Sequence, residues 1–131
     1  YLQLKTCFRD RQSLIDALEA IYGKGNVEVN EEAKNLHGYR GDMRNETAEI
    51  IIRKHHVGTA SNDLGFKLQS DGTYICIRSE YDRRSHFNDA KLHKLEGLYA
   101  LKSIENTAME QRQSCEVEEQ PNNIIKAKIY I

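Results

Sequence analysis

The sequence predicts an α+β domain built on a single mostly antiparallel sheet of about six to seven strands, with two helices packed on one face. Three observations carry this reading. Leu64, Phe66 and Leu68 alternate with polar residues before Asp71-Gly72, and Thr73, Ile75 and Ile77 alternate after it, the pattern of an antiparallel hairpin. Only two stretches, one near each end, repeat apolar residues at helical spacing. Two helices are too few to cover both faces of a sheet, which argues against a doubly wound parallel fold. The expected order is β-α-β-β-β-β-α-β-β within a single domain, 1–131.

The elements follow in turn. In "YLQLKTCF", Leu2, Leu4, Thr6 and Phe8 share one face of a half-buried strand. Asp10 reads as a helix N-cap. Leu14, Ala17, Leu18 and Ile21 follow on one helical face, and Gly23 sits where a helix-terminating glycine belongs. "NVEV" is a short strand through Val27 and Val29, followed by a polar connection. "TAEIIIRK" is a strand with Ala48, Ile50 and Ile52 on one face and Ile51 on the other, which suits a central position. "HHVGTASN" reads as a loop. After the hairpin a long helix runs from about Asn88 to Gln113, capped by Asn88 or Asp89, with Leu92, Leu95, Leu98, Leu101, Ile104 and Ala108 as its stripe. Gly97 inside it costs about 1 kcal/mol against alanine and is expected to mark close packing. "CEVEE" and "IIKAKIYI" form a last strand pair across "QPNN".

Composition narrows the function classes. Of 131 residues, 19 are Lys or Arg and 20 are Asp or Glu, for a net charge of −1. No global field draws such a chain to nucleic acid or an anionic membrane, so such binding would need a local patch. No stretch approaches the length of a membrane span, and no signal-peptide pattern is seen from Tyr1 onward. Cys7, Cys76 and Cys115 are far apart in the chain. They read as free, buried thiols of a reducing compartment, cytoplasm or plastid stroma, and not as metal ligands, which come in close-spaced pairs.

The whole chain, in order, resembles the hypothetical chloroplast reading frame thirty-five family of plastids, cyanobacteria and other bacteria. The residues that carry the resemblance are Leu4-Lys5-Thr6, Gly38-Tyr39-Arg40-Gly41, Ala48-Glu49-Ile50-Ile51-Ile52-Arg53, Asp63-Leu64-Gly65-Phe66, Asp71-Gly72-Thr73-Tyr74, Leu98-Tyr99-Ala100 and the stretch from Glu118 to Ile131. Family members usually carry tryptophan after the central hairpin. Here Arg78-Ser79-Glu80-Tyr81-Asp82 stands there, and the chain has no tryptophan. The resemblance implies a domain of unknown function with no established enzyme activity, catalytic residue or cofactor. Bacterial members tend to be encoded near AAA-type ATPases, which implies an accessory role.

Candidate sites are weighed against their plainer readings. "HGYRGD" has the glycines of a phosphate cradle, but a dinucleotide or P-loop fingerprint needs a helix next, and an isoleucine-rich strand follows. Gly38 and Gly41, like Asp71 and Gly72, are read as structural turn residues. Arg40-Gly41-Asp42 as an adhesion signal needs an extracellular protein, against the free thiols. His37, His55, His56, His86 and His93 lack ligand spacing, and adjacent His55 and His56 on a strand end would point to opposite faces, so neither metal nor cofactor is expected. Asp63, Glu80 or Asp82 with a histidine could do acid/base work, but no nucleophile-base-orienter set accompanies them.

Two binding readings remain. Tyr39, Arg40, Arg44, Arg53, Arg78, Arg83 and Arg84, with Lys54 and Tyr81, form a candidate patch if the strands carrying them are neighbours. Ile124, Lys126, Lys128 and Tyr130 form a candidate assembly edge on the terminal strand. The expectation is therefore a non-catalytic intracellular accessory protein. It would act through a protein partner or self-association, with an RNA- or ribosome-associated protein as the alternative and an enzyme third.

Overall fold

The computed structural model describes residues 1–58, 60–84 and 86–114, with the side chains of 83, 84 and 109–114 outside that description. In chain order it contains β1 (Leu2–Leu4), α1 (Arg11–Tyr22), β2 (Glu28–His37), β3 (Met43–Ile52), α2 (Lys54–Val57), β4 (Leu64–Leu68), β5 (Tyr74–Arg78), a 3₁₀ turn (Glu80–Arg84) and α3 (Asp89–Ser114). The strands form one antiparallel sheet of five, in the order β1-β5-β4-β3-β2. The α+β class and the antiparallel sheet hold. The described sheet has five strands instead of six to seven, because the terminal pair expected beyond 114 lies outside the described residues.

α1 forms where its signals put it. The Asp10 carboxylate accepts the Ser13 N–H at 3.2 Å, and the Gly23 N–H closes the last turn onto Glu19 O at 2.8 Å. Leu14, Ala17 and Leu18 are fully buried. With Leu95 of α3 they cover Ile50, Ile52, Leu64, Phe66, Tyr74 and Cys76 on one face of the sheet. Phe66 meets Phe8 and Phe87 edge-on at 6.2 and 6.4 Å. The Tyr99 hydroxyl accepts the N–H groups of Arg9 and Asp10 at 2.9 Å each, tying α3 to the entry of α1. The Asp71-Gly72 turn closes as expected, Gly72 at φ 87° and Asp71 Oδ1 accepting Thr73 N–H at 2.9 Å.

The other face of the sheet is closed by something the sequence pattern hid. β2 runs through the stretch read as a polar connection, because a strand at a sheet edge can turn its carboxylates outward. Glu28 and Val29 pair with Ile51 and Ile50, but the next pairs are Lys34 with Ala48 and Asn35 with Thr47. Five steps along β2 thus match two along β3, a large bulge that bends the hairpin. Ala48 therefore leaves the face of Ile50 and Ile52 and joins Leu36, Ile51 and Ile77 in a second core. The bent hairpin lies as an arm across the second face: the Tyr1 hydroxyl, beside β1, donates to His37 O of β2 at 3.2 Å although these are the two outer strands. Gly65 lies beneath the arm, where an added Cβ would stand 2.9 Å from Ala48 Cβ and 3.0 Å from the Leu36 methyls.

Three smaller expectations are corrected. His55 and His56 lie on the single turn of α2, with ring centroids 4.0 Å apart, so they do not point to opposite faces. Cys76 is buried, which pushes its thiol up to about 12, but Cys7 is exposed. Gly97 does not mark close packing among the described residues: a Cβ there meets nothing of theirs within 4 Å. Gly97→Ala should therefore stabilise the dilute chain by about 1 kcal/mol, read as a rise in the urea midpoint at unchanged slope.

Candidate functional site

The tip of the β2–β3 arm is fastened by the segment Ser61-Asn62-Asp63, which enters β4. All three residues are buried. Asp63 Oδ2 accepts the His37 N–H at 2.7 Å and Arg53 Nη1 at 2.8 Å, and Oδ1 accepts the Lys54 N–H at 2.7 Å. Its own N–H donates to His37 O at 2.9 Å. Arg53 grips the base of the arm with a bidentate pair to Glu28, Nε to Oε1 at 2.9 Å and Nη2 to Oε2 at 2.8 Å. Its Nη1 also reaches Asn35 O, nearer the tip, at 3.3 Å. The Arg53 hydrogen bonds hold the Glu28 carboxyl below the usual carboxylate range, and the Glu28 pair holds the guanidinium up.

Asn62 makes the next link. Its Oδ1 accepts the Tyr39 N–H at 2.8 Å and its Nδ2 donates to Ser79 Oγ at 3.1 Å. Ser79 Oγ in turn accepts the Tyr81 N–H at 3.2 Å. One buried amide and one buried hydroxyl thus join the backbones of Tyr39 and Tyr81, whose side chains are 46% and 76% exposed. Ser61 Oγ donates to the Asp82 carboxylate at 3.1 Å. Burial pushes the Asp82 carboxyl up, against the Ser61 hydrogen bond and the nearby charges of His86 and Arg78.

The "HGYRGD" turn spends its donors internally. His37 N–H goes to Asp63, Gly38 N–H to Asp42 O at 2.8 Å, Tyr39 N–H to Asn62 and Gly41 N–H to Gly38 O at 2.8 Å. With those groups taken, no cradle of inward-facing amides is left for a phosphate. Gly41 has φ 81°, a conformation that favours glycine, whereas a Cβ at Gly38 would meet only the Asp42 carboxylate, which can turn away.

The candidate arginines separate into two groups. Arg40 Nε donates to the Tyr39 hydroxyl at 2.9 Å, and Arg44 lies over the Tyr1 ring at 5.3 Å with a weak pair to Asp42 at 3.8 Å. Both stay at the surface of the tip, beside Met43, which is 71% exposed. Arg53 and Arg78 are committed to carboxylates instead. Arg78 is 4% exposed and pairs with Asp89 at 2.8 Å. β4 separates β3 from β5, so the two arginines are not on neighbouring strands. Arg83 and Arg84 lie on the 3₁₀ turn, but their side chains are outside the description. The edge residues Ile124, Lys126, Lys128 and Tyr130 lie outside the described residues altogether. Met43, Asn62 and Ser79 were missed. The only sequence signal for the last two is that Asn and Ser side chains readily bond backbone N–H groups.

A shallow cleft of about 380 Å³ opens beside the arm on the second face, floored by Ile75 and Ile77 and walled by Gln3, Asn45, Glu46, Thr47, Lys67 and Gln69. Lys67 Nζ there donates to Thr47 Oγ1 at 2.9 Å. Among the described residues no group of three His, Cys, Asp or Glu side chains is placed to hold a metal ion. Among them, too, no helix is long and apolar enough to cross a membrane.

Fold and site together define an α+β domain with one antiparallel sheet, helices over one face, and a latched hairpin arm over the other that presents an aromatic and basic tip. Residues 24–125 match the family described as Protein of unknown function (DUF1257), and the chain belongs to that family. The match bears out the family resemblance read from the sequence motifs. No curated protein and no solved structure matches the chain.

Proposed function

We propose that this chain is a non-catalytic domain that binds a protein partner through the rim formed by Tyr39, Arg40, Met43, Arg44 and Tyr81. The observation that carries the reading is the buried Asn62–Ser79 bridge, which holds two exposed tyrosines at one end of the sheet. Tyr, Arg and Met are the residue types enriched at protein interfaces, and aromatic anchors held rigid beforehand lose little entropy on binding. The acid/base candidates support a non-catalytic role, since Asp63 is saturated by two N–H groups and a guanidinium and Asp82 holds Ser61. The free thiols of Cys7 and Cys76 suit a reducing compartment, cytoplasm or stroma. An accessory role beside an AAA-type ATPase fits the same reading.

Capture from native lysate by the wild-type chain and by Tyr39→Ala/Tyr81→Ala tests it. Neither side chain belongs to a hydrophobic core, so the variant should stay folded by its melting curve and lose the partner by about tenfold or more in affinity. Identical capture by both chains rejects the rim. RNA is the second reading, favoured by Arg40 and Arg44 flanking exposed Tyr39. In that case affinity falls steeply with salt and the slope flattens in Arg40→Ala/Arg44→Ala; a wild-type affinity indifferent to salt removes it.

A further inference from the structure

The apolar stripe expected along α3 does not stay on one side of the helix. Its residues recur mostly every three positions, and each such step turns about 60° backward around a helix of 3.6 residues per turn. Leu95 is fully buried, Tyr99 packs on Phe8 at 4.8 Å, and Asn106 Nδ2 reaches Ser13 Oγ of α1 at 3.1 Å. These three mark the side facing the body, and at about 100° per residue they lie within about 40° of one another. Gly97, Leu101, Ile104 and Ala108 lie within about 60° of one another on the opposite side. Leu101 is 44% exposed and Gly97 is exposed, while Ile104 and Ala108 are half-buried and belong to neither core among the described residues.

The spacing of this outer set is four, three, four, the alternation of a coiled-coil seam. It also reads the same in both directions. Gly97 precedes Leu101 by as many residues as Ala108 follows Ile104. Reversing the helix therefore sets Leu101 against Ile104, large on large, and Gly97 against Ala108, small on small. A two-fold contact requires that kind of self-match, in which each residue meets the other's counterpart. Gly97 fits it too. Among the described residues nothing lies within 4 Å of the Cβ missing at this mid-helix glycine, and its small size lets a second helix approach closely.

We infer that the outer face of α3 is the contact of an antiparallel homodimer, with a second copy of this chain as its occupant. Leu101 and Ile104 fill the centre, and Gly97 and Ala108 close the two ends. About three turns of helix per copy make a small interface, so the dimer is weak and forms with rising concentration. The assembly extends the reading of the chain as one that works through protein contacts, and the two fail separately. A chain that stays monomeric yet captures its partner through Tyr39 and Tyr81 overturns the dimer alone.

The test uses the full chain with Cys7 and Cys115 changed to serine. Sedimentation across concentration should show a monomer–dimer equilibrium, and Leu101→Glu should weaken it by about tenfold or more. Because Leu101 faces outward, that variant should melt like the wild type. A mixture of Gly97→Cys and Ala108→Cys chains should cross-link under mild oxidation, whereas either alone should not. In the antiparallel register like positions lie about 16 Å apart, beyond the reach of a disulfide. A monomer at every soluble concentration, as when the chain's own remaining residues cover this face, overturns the proposal. So does Gly97→Cys cross-linking to itself, or a Leu101→Glu dimer as tight as the wild type.

Discussion

Asp63→Ala should be among the most destabilising single substitutions, costing about 3–5 kcal/mol of a total of about 5–15 kcal/mol. Three donors converge on this 1%-exposed carboxylate: the His37 and Lys54 N–H groups and the Arg53 guanidinium. Alanine leaves all three without that partner; Arg53 keeps Glu28 and some solvent, but the His37 and Lys54 N–H groups are left facing a buried position, and a stranded buried donor costs more than its bond was worth. Asp63→Asn keeps one acceptor oxygen and should lose less. Arg53→Ala uncovers Glu28 as well, and in the double variant with Asp63→Ala the loss should fall short of the sum, because each single change already breaks the shared pair. Urea unfolding of the four chains measures this, and a loss under about 1 kcal/mol for Asp63→Ala would dismiss the latch. The latch also gives acid sensitivity a sign. Glu28 is held below its ordinary range in the folded state. Its contribution is therefore present above the unfolded value and lost as pH falls through the lower folded one. Arg53→Ala should flatten that part of the acid profile. The pair is partly exposed, 24% for Arg53 and 36% for Glu28, so solvent screening keeps its share small beside that of Asp63.

The same residues show which parts of the molecule can be read from a sequence. α1 was legible because its cap, stripe and stop are local: Asp10, Leu14 to Leu18, Gly23. The β4–β5 hairpin was legible because Asp71-Gly72 permits few other turns. The arm was not. Nothing local in "NEEAKN" distinguishes a polar loop from a polar edge strand, and the bulge that moves Ala48 to the second face leaves no break in its run of residues. Likewise the apolar residues of α3 recur every three positions in the sequence, a spacing that resembles one stripe although each step turns about 60° around the helix. In the site, Tyr39, Arg40 and Arg44 were legible as the surroundings of an exposed glycine turn. Arg53 and Arg78 were read as surface cations because their carboxylates, Glu28 and Asp89, meet them only after folding. For Arg53 the separation is 25 residues, beyond any sequence window.

Phe66→Ala should match Asp63→Ala in size and differ in kind. Phe66 is fully buried at the centre of the helix-side core, with Phe8 and Phe87 edge-on to it at 6.2 and 6.4 Å. Phe8 lies two residues before the Asp10 cap of α1, and Phe87 immediately precedes the Asn88 residue whose Oδ1 accepts the Lys91 N–H at 3.0 Å to start α3. One ring therefore braces the entries of both helices. Removing it loses the transfer energy of the ring and opens a cavity that two flanking aromatics on different elements cannot jointly fill, about 3–5 kcal/mol. The cost should appear as a lower urea midpoint with weaker packing of α1 and α3, because those entries lose their common support. Amide exchange separates the two lesions. Phe66→Ala should speed exchange in α1 and α3 before the arm, whereas Asp63→Ala should release the β2–β3 arm first and leave the helices protected longest. Equal acceleration everywhere in both variants would mean that the arm and the helical layer unfold as one unit, and the Asp63 latch would then be a part of the core and not a separate fastening.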